Sequence, residues 1–345
     1  MFEGALVFGS SAMTALMCLQ ANEIGNFLGV IDRPDGGRKH HARPTPLMGG
    51  LAVLIPFLLL TMIYNNMLEG GSLALSAALV LTGGLTALGY LDDKFGLDAK
   101  LRLLAGIGLI GITILLDPSQ QLQILDFGAV KVPFSAGMGL AFTILVVLGL
   151  INAVNMADGL NGIVPGAALI WAACLAVYSP HSLLPLTLAL GALLAIVLAF
   201  NLRGKLFLGD AGAYGLAGLF SILTIHIYNR TDALTADIVV AWFLIPVLDC
   251  LRLMASRALR GRSPFQPDRN HLHHRLQSLV PSKYVFLVYC GMIGIPSAGA
   301  MAAPYWSAWF IGGVAAFYAG IIMLTSHRYL GLQRKWRKVM PRIAA

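Results

Sequence analysis

The chain has 345 residues, 57% of them apolar and only 12% charged. Soluble domains carry about 25% charged residues, and 24 basic plus 16 acidic side chains cannot surface the soluble domains that a chain of this length would form. A disordered chain, a secreted disulfide scaffold and a free nucleic-acid-binding protein are excluded; the net charge of +8 belongs, by its placement, to a membrane.

The N-terminal stretch MFEGALVFGSSAMTALMCLQ has no basic residues ahead of its apolar run. It reads as a retained first helix rather than a cleaved signal. A membrane helix needs about 20 mostly apolar residues. Eleven segments satisfy this in chain order: 4–22, 47–64, 72–91, 101–117, 137–155, 160–178, 182–201, 206–228, 234–255, 284–302 and 305–325. The expected fold is an all-α polytopic membrane protein of about eleven transmembrane helices, a single integral membrane domain over 1–345. Between the fourth and fifth spans, LQILDFGAVKVPF alternates around a glycine, which predicts a short β-hairpin. Cys18, Cys174, Cys250 and Cys290 lie in or beside apolar runs without a CxxC pair. They read as small buried hydrophobes rather than a disulfide framework or zinc site.

Eleven crossings sort the loops into two sets. Loops 31–46, 92–102, 156–160, 202–209 and 256–283, the tail 326–345 and the abutting helix ends hold 22 of the 24 basic residues. The other set holds only Lys131 and Arg230. The positive-inside rule then puts the C-terminus in the cytoplasm, the N-terminus outside and the hairpin in the periplasm. The basic tail QRKWRKVMPR suits contact with anionic membrane lipid.

The basic set of loops also carries the unusual polar residues. The first reads RPDGGRKHHARPTPLMGG, stiffened by proline and glycine. It presents Lys39, His40 and His41, either to a ligand or simply as a topogenic loop. The third span ends GYLDDKFGLDAKLR. Asp92 and Asp93 sit at a partially negative helix C-terminus, where they either share a cation or are neutralised by Lys94 and Lys100. The fifth span runs into NAVNMADGLNG. Asn152, Asn155, Asp158 and Asn161 recur every third residue, and Gly159 and Gly162 suggest that the helix breaks. Hard oxygens of this kind suit Mg²⁺; a turn also favours Asn, Asp and Gly.

Asp210, between glycines in FLGDAGA, is either a helix cap or a metal ligand where backbone can approach a phosphate. In SRALRGRSPFQPDRNHLHHRLQSLVPSK, five arginines flank His271, His273 and His274. The cluster suits a polyanion better than zinc, because HxHH lacks the HExxH spacing. Asp249 pairs with Arg252 at i+3. Carboxylates for a divalent cation and cations for phosphates on one membrane face suit phosphoryl transfer, with a lipid co-substrate along the membrane side. A transporter would instead place ionisable groups near the midplane in repeated or broken helices.

Five blocks in order, KHHARPTPLMGG, DDKFGLDAK, NAVNMADGLNG, FLGDAGA and SPFQPDRNHLHH, resemble the polyprenyl-phosphate N-acetylhexosamine-1-phosphate transferases over about residues 30–280. PDRNHLHH is similar to the bacterial branch that uses UDP-N-acetylglucosamine to start O-antigen and common-antigen polysaccharides. It is less similar to phospho-MurNAc-pentapeptide translocase. The resemblance implies transfer of a sugar 1-phosphate, N-acetylglucosamine 1-phosphate or that of another UDP-N-acetylhexosamine, from a UDP-sugar to undecaprenyl phosphate with release of UMP. It implies Mg²⁺ or Mn²⁺, a multi-pass protein of the bacterial inner membrane with a cytoplasmic-facing site, no nucleic-acid partner, and room for a homodimer. Carried over by position, Asp92 binds or deprotonates the lipid phosphate, with Asp93 beside it near the metal. Asp210 is the principal metal ligand with Asn155 as a second. Asp158, a candidate nucleophile in a covalent variant of the mechanism, and Asn161 line the nucleotide side. Lys39, His41 and Lys100 hold phosphates, and Arg269, His271, His273 and His274 grip the diphosphate or sugar. Where many relatives carry DGxDG, this chain has Asp158-Gly-Leu-Asn161-Gly, one carboxylate fewer.

Overall fold

The computed structural model of the protein describes residues 2–34, 43–68, 71–263 and 270–339. The bundle begins with α1 (Phe2–Leu19) and α2 (Ala21–Leu28), which meet at a bend of 75°. A short antiparallel pair, β1 (Ile31–Asp32) and β2 (Thr45–Pro46), closes the loop before α3 (Gly49–Met67). Then come α4 (Leu73–Phe95), α5 (Ala99–Leu116), strands β3 (Ile124–Asp126) and β4 (Lys131–Pro133), and α6 (Ala136–Ala157). The chain continues through α7 (Ile163–Tyr178), α8 (Leu184–Leu202), α9 (Gly209–Tyr228), α10 (Ala236–Ala258), the short α11 (Leu272–Leu276), α12 (Ser282–Ala302) and α13 (Ser307–Val339).

Among the described residues, nine helical segments are long and apolar enough to cross a membrane, and the bent pair α1–α2 would make a tenth. The segment expected at 160–178 is shorter than foreseen: α7 starts only at Ile163 and has 16 residues. The NAVNMADGLNG stretch explains the loss, since α6 stops at Ala157 and Gly162 takes φ +86°, a left-handed conformation that glycine adopts without strain. Local signals set other ends. The Ser72 and Ser135 hydroxyls accept from Leu75 N and Met138 N at the starts of α4 and α6. Gly96, at φ +65°, ends α4 by donating its N–H to Asp92 O.

Helix α9 is the axis of the bundle and is buried along nearly its whole length. Small residues let its neighbours approach, as membrane helix packing favours. A Cβ on Gly89 of α4 would lie 2.2 Å from Asp210 O, and one on Gly50 of α3 would lie 2.1 Å from Gly212 Cα. The PLMGG stretch is stitched directly to the start of α9: Gly49 N donates to Phe207 O, Gly50 N to Leu208 O, and Phe207 N to Pro46 O. Large apolar side chains such as Leu115, Ile295 and Trp309 stand exposed on the outside, where lipid is the solvent. At the end of α9 remote from Asp210, β3 pairs with β4 in the register Leu125↔Val132, with Lys131 Nζ 2.7 Å from Asp126 Oδ2.

Candidate active site

The C-terminal end of α4, the C-terminal end of α6 and the first turn of α9 converge at one end of the bundle. Asp93 reaches across from α4 and caps α9: Asp210 N donates to Oδ1 at 2.9 Å and Ala211 N to Oδ2 at 3.1 Å. This cap satisfies two of the N–H groups that a helix start leaves unpaired. Gly209 makes it possible. Its φ is +78°, and a Cβ there would lie 2.7 Å from Asp93 Oδ2. With the capping done from another helix, the Asp210 carboxylate is turned to a different partner. Its Oδ1 accepts from Asn155 Nδ2 at 2.5 Å.

Asp158 follows the last residue of α6. Burial pushes its carboxyl up to about 7, and the neighbouring Asp210 charge adds to the shift. Two carboxylates thus face one another closely enough to repel. Among the described residues, no group of three or more His, Cys, Asp or Glu side chains converges as a metal site. Mg²⁺ does not require one: it is usually held by one or two carboxylates, with water and substrate phosphates completing the shell. Asp210, Asp158 and the Asn155 amide are a donor set of that kind.

Asp92 is held more tightly than its neighbour. Oδ1 accepts from Leu97 N at 2.8 Å, and Oδ2 accepts from Arg102 Nη1 and Tyr214 Oη, both at 2.7 Å. Arg102 Nη1 also donates to Tyr214 Oη at 2.9 Å. The polar register of α6 splits between two sides. Asn155 meets Asp210, whereas Asn152 bonds back to Leu148 O and lines a cleft with Arg102 and Tyr214. Asn161 lies in the turn before α7, outside the helix. That turn is anchored by buried Asn201, whose Oδ1 accepts from Gly162 N and whose Nδ2 donates to Leu206 O.

The histidine block is delivered by α11. Asp249 of α10 organises it, accepting from Leu272 N, Arg252 Nη2 and Tyr318 Oη, with His271 Nδ1 3.4 Å from its Oδ2. Arg252 also bonds Asn270 O. Arg275 is structural: it is buried and donates to Asn270 Oδ1, Ile322 O and Thr325 Oγ1, tying α11 to α13. The His271 and His273 rings stack at 5.3 Å, and His274 stands edge-on to His273 at 4.3 Å. His273 lies directly over the α6–α7 turn, since a Cβ on Gly159 would be 2.1 Å from its Nε2. Burial and the two neighbouring histidines hold His273 well below the usual imidazole range, so it stays neutral. Its Nε2 has no hydrogen-bond partner among the described residues.

The structure therefore brings Asp92, Asp93, Asn155, Asp158 and Asp210 to one end of the bundle, and it sets the His271–His274 block against the Gly159 turn. Lys100 is exposed on the first turn of α5, without a contact to these groups among the described residues. Lys39, His41 and Arg269 lie outside the described residues. Sequence reading missed Arg102, Tyr214, Asn201 and Tyr318, and saw in Asp249 only its link to Arg252. None carries a local signal, because their partners are distant in the chain or across a helix break.

Residues 75–228, which contain every acidic group of this site except Asp249, match glycosyl transferase family 4. The chain is 30% identical over 276 residues to the undecaprenyl-phosphate alpha-N-acetylglucosaminyl 1-phosphate transferase of Escherichia coli K12, covering 76% of this chain and 72% of that one. It is 30% identical to the protein of the same name from Yersinia pestis, over 74% of this chain and 71% of that one. It is 28% identical to the decaprenyl-phosphate N-acetylglucosaminephosphotransferase of Mycolicibacterium smegmatis, over 84% of this chain and 78% of that one.

Proposed function

Because the chain belongs to the polyprenyl-phosphate N-acetylhexosamine-1-phosphate transferases of glycosyl transferase family 4, we propose that it moves a sugar 1-phosphate from a UDP-sugar to undecaprenyl phosphate. UMP is released, and N-acetylglucosamine is the sugar, as the names of the relatives suggest. The protein is a multi-pass protein of the bacterial inner membrane. The observation that carries the reading is the meeting of Asp158 and Asp210 beneath a histidine block seated on Gly159: a cation-seeking pocket and a phosphate-seeking cluster share one turn.

An oxygen of the lipid phosphate attacks the sugar-bearing phosphorus in line. The bond from that phosphorus to the bridging oxygen breaks, and the electron pair leaves on UMP. Asp210, Asp158 and the Asn155 amide would hold Mg²⁺ or Mn²⁺, which when bound neutralises charge on the diphosphate. Asp93 fixes the first turn of α9 and hence the direction of the Asp210 carboxylate. His271 and His274 face the donor as hydrogen-bonding groups, neutral His273 offers Nε2 at the turn, Lys39, Lys100 and Arg269 supply positive charge, and His41 binds phosphate beside Lys39. Asn161 lines the nucleotide side, where an amide bonds a uridine without adding charge. Such catalysis is mostly positioning and electrostatic stabilisation.

The basic loops support a cytoplasmic-facing site. The full reading is eleven crossings, with α7 and the bent α1–α2 each counted as one, the N-terminus outside, the C-terminus inside and the hairpin in the periplasm. A panel of UDP-sugars supplied with undecaprenyl phosphate tests the specificity. Lipid-linked product from UDP-N-acetylglucosamine ahead of its epimer and of UDP-MurNAc-pentapeptide supports the assignment; product from another donor alone contradicts it.

A further inference from the structure

Three sulfur atoms meet where α6 and α10 pack together. Cys250, in the second half of α10, has its Sγ 3.5 Å from Met156 Sδ and 3.6 Å from Met254 Sδ. Met254 follows Cys250 by four residues, about one turn, so the two share a face of α10. Met156 is the penultimate residue of α6 and brings the third sulfur from a different helix. Cys250 is buried, whereas both methionines are half-buried, so access to the thiol is from the methionine side. Among the described residues, Cys18, Cys174 and Cys290 have no comparable sulfur partner.

A thioether is a weak acceptor for the thiol proton but a good ligand for a soft metal ion, and thiolate with thioether selects Cu(I). Metal–thiolate bonds of about 2.3 Å set the ligands of a three-coordinate ion about 4 Å apart by trigonal geometry. Cys250 and its two partners therefore need to part by only about half an ångström, which the three rotatable bonds of methionine allow. Charge narrows the ion further. A monovalent ion takes the place of the thiol proton, which leaves to water, and the net charge of the buried cluster is unchanged. A divalent ion such as Zn²⁺ would leave an unpaired positive charge in apolar surroundings, which is costly. Asp249, the adjacent carboxylate in sequence, is already engaged by Leu272 N, Arg252 Nη2 and Tyr318 Oη.

We propose that Met156, Cys250 and Met254 bind one soft monovalent cation of the Cu(I) class, and that its binding switches off the neighbouring active site. Asn155 immediately precedes Met156, and Asp249 immediately precedes Cys250. The ion would thus join the segment that presents Asn155 to Asp210 and the segment that holds the histidine block through Leu272 N. Ligation draws the three sulfurs to fixed separations about the ion and displaces both segments. The cluster is distinct in chemistry from the oxygen donors at Asp210 and Asp158, which suit hard cations. Binding at the sulfurs is independent of the transferase reading; the inhibition rests on it.

The test uses the full chain in detergent, under nitrogen, with ascorbate keeping copper as Cu(I). The protein competes for the ion with bicinchoninate, whose coloured Cu(I) complex bleaches as copper is taken. Wild type should take up one equivalent, and X-ray absorption at the copper edge should show a first shell of sulfur alone. Cys250→Ala should lose this uptake, and Met156→Leu and Met254→Leu, which nearly conserve volume, should each weaken it. Cys174→Ala should bind as wild type does. UMP release from UDP-N-acetylglucosamine and undecaprenyl phosphate should be lost as one equivalent of Cu(I) is added to wild type, and should be unaffected by Cu(I) in Cys250→Ala. Undiminished uptake by Cys250→Ala would overturn the proposal, as would a nitrogen shell placing the copper on the histidine block, or copper uptake with UMP release at full rate. Should Cys250→Ala fail to fold, Met254→Leu decides: uptake equal to wild type overturns the site. If copper binds on sulfur but the copper-free protein releases no UMP, the site stands and the transferase reading fails.

Discussion

Gly159 has room for a hydrogen and nothing larger, because His273 Nε2 occupies the space where a Cβ would be. Gly159→Ala should push the imidazole off the turn and lower kcat about a hundredfold, the scale of a 1 Å misplacement. Thermal stability should stay near wild type, and unaltered kcat would show that the His273 contact is incidental. Asp93 is a helix cap in trans that accepts with both carboxylate oxygens. Asp93→Asn keeps one acceptor and should lose less stability than Asp93→Ala, which keeps neither and should lose about 1 kcal/mol; equal melting of the two would refute the cap. Asp158 gives a pH signature. Its carboxyl, held up to about 7, keeps a proton that the unfolded chain has lost above about 4. The native state binds the extra proton within that window, so the metal-free protein loses stability as pH rises through it. Melting midpoints from about pH 5 to about pH 8 should fall more steeply for wild type than for Asp158→Asn; identical slopes would contradict the buried repulsive pair. The individual residues were legible in the sequence where chemistry is local, as in the Asn-Gly turn. They were illegible where a partner lies more than a hundred residues away: nothing near Asp93 announces that it caps α9.

The contact between α4 and α9 is the element on which the site depends, because it fixes the Asp92–Asp93 pair against the first turn bearing Asp210. Gly89 is where the two backbones come closest, with Asp210 O 2.2 Å from its notional Cβ. Gly111, in the interior of α5, has nothing within 4 Å. Gly111→Ala should leave stability unchanged or raise it by up to about 1 kcal/mol through helix propensity. Gly89→Ala should lower the melting temperature and cut activity, since backbone cannot yield as a side-chain tip can. Equal effects of the two would deny that α4–α9 proximity matters. Hydropathy locates the helices well, and each of the eleven apolar segments contains one. It does not see breaks: the 75° turn after Leu19 and the late start of α7 depend on single-residue backbone geometry, not on average apolarity. Nor does it see the α10–α11–α13 assembly, in which Asp249, Tyr318 and Arg275 fix the histidine block through bonds between distant segments.

Across the whole molecule, polar chemistry is concentrated at one end of an apolar bundle, and the loops there carry the positive charge. Single-cysteine labelling in intact cells should therefore leave position 205 protected and position 131 reactive; the reverse pattern would invert the topology. Division of labour follows from the same layout. In the proposed reading, Asp210 and Asp158 hold the cation and the histidine block takes the donor. The enzyme account is tested most directly by UMP release from purified protein given UDP-N-acetylglucosamine and undecaprenyl phosphate, with Mg²⁺ or with chelator. UMP should form in step with lipid-linked sugar, stop with chelator, and fall at least about a hundredfold in Asp210→Asn, as loss of a group that holds the catalytic charge predicts. UMP release that persists in Asp210→Asn, or that proceeds at full rate without a divalent cation, would contradict it.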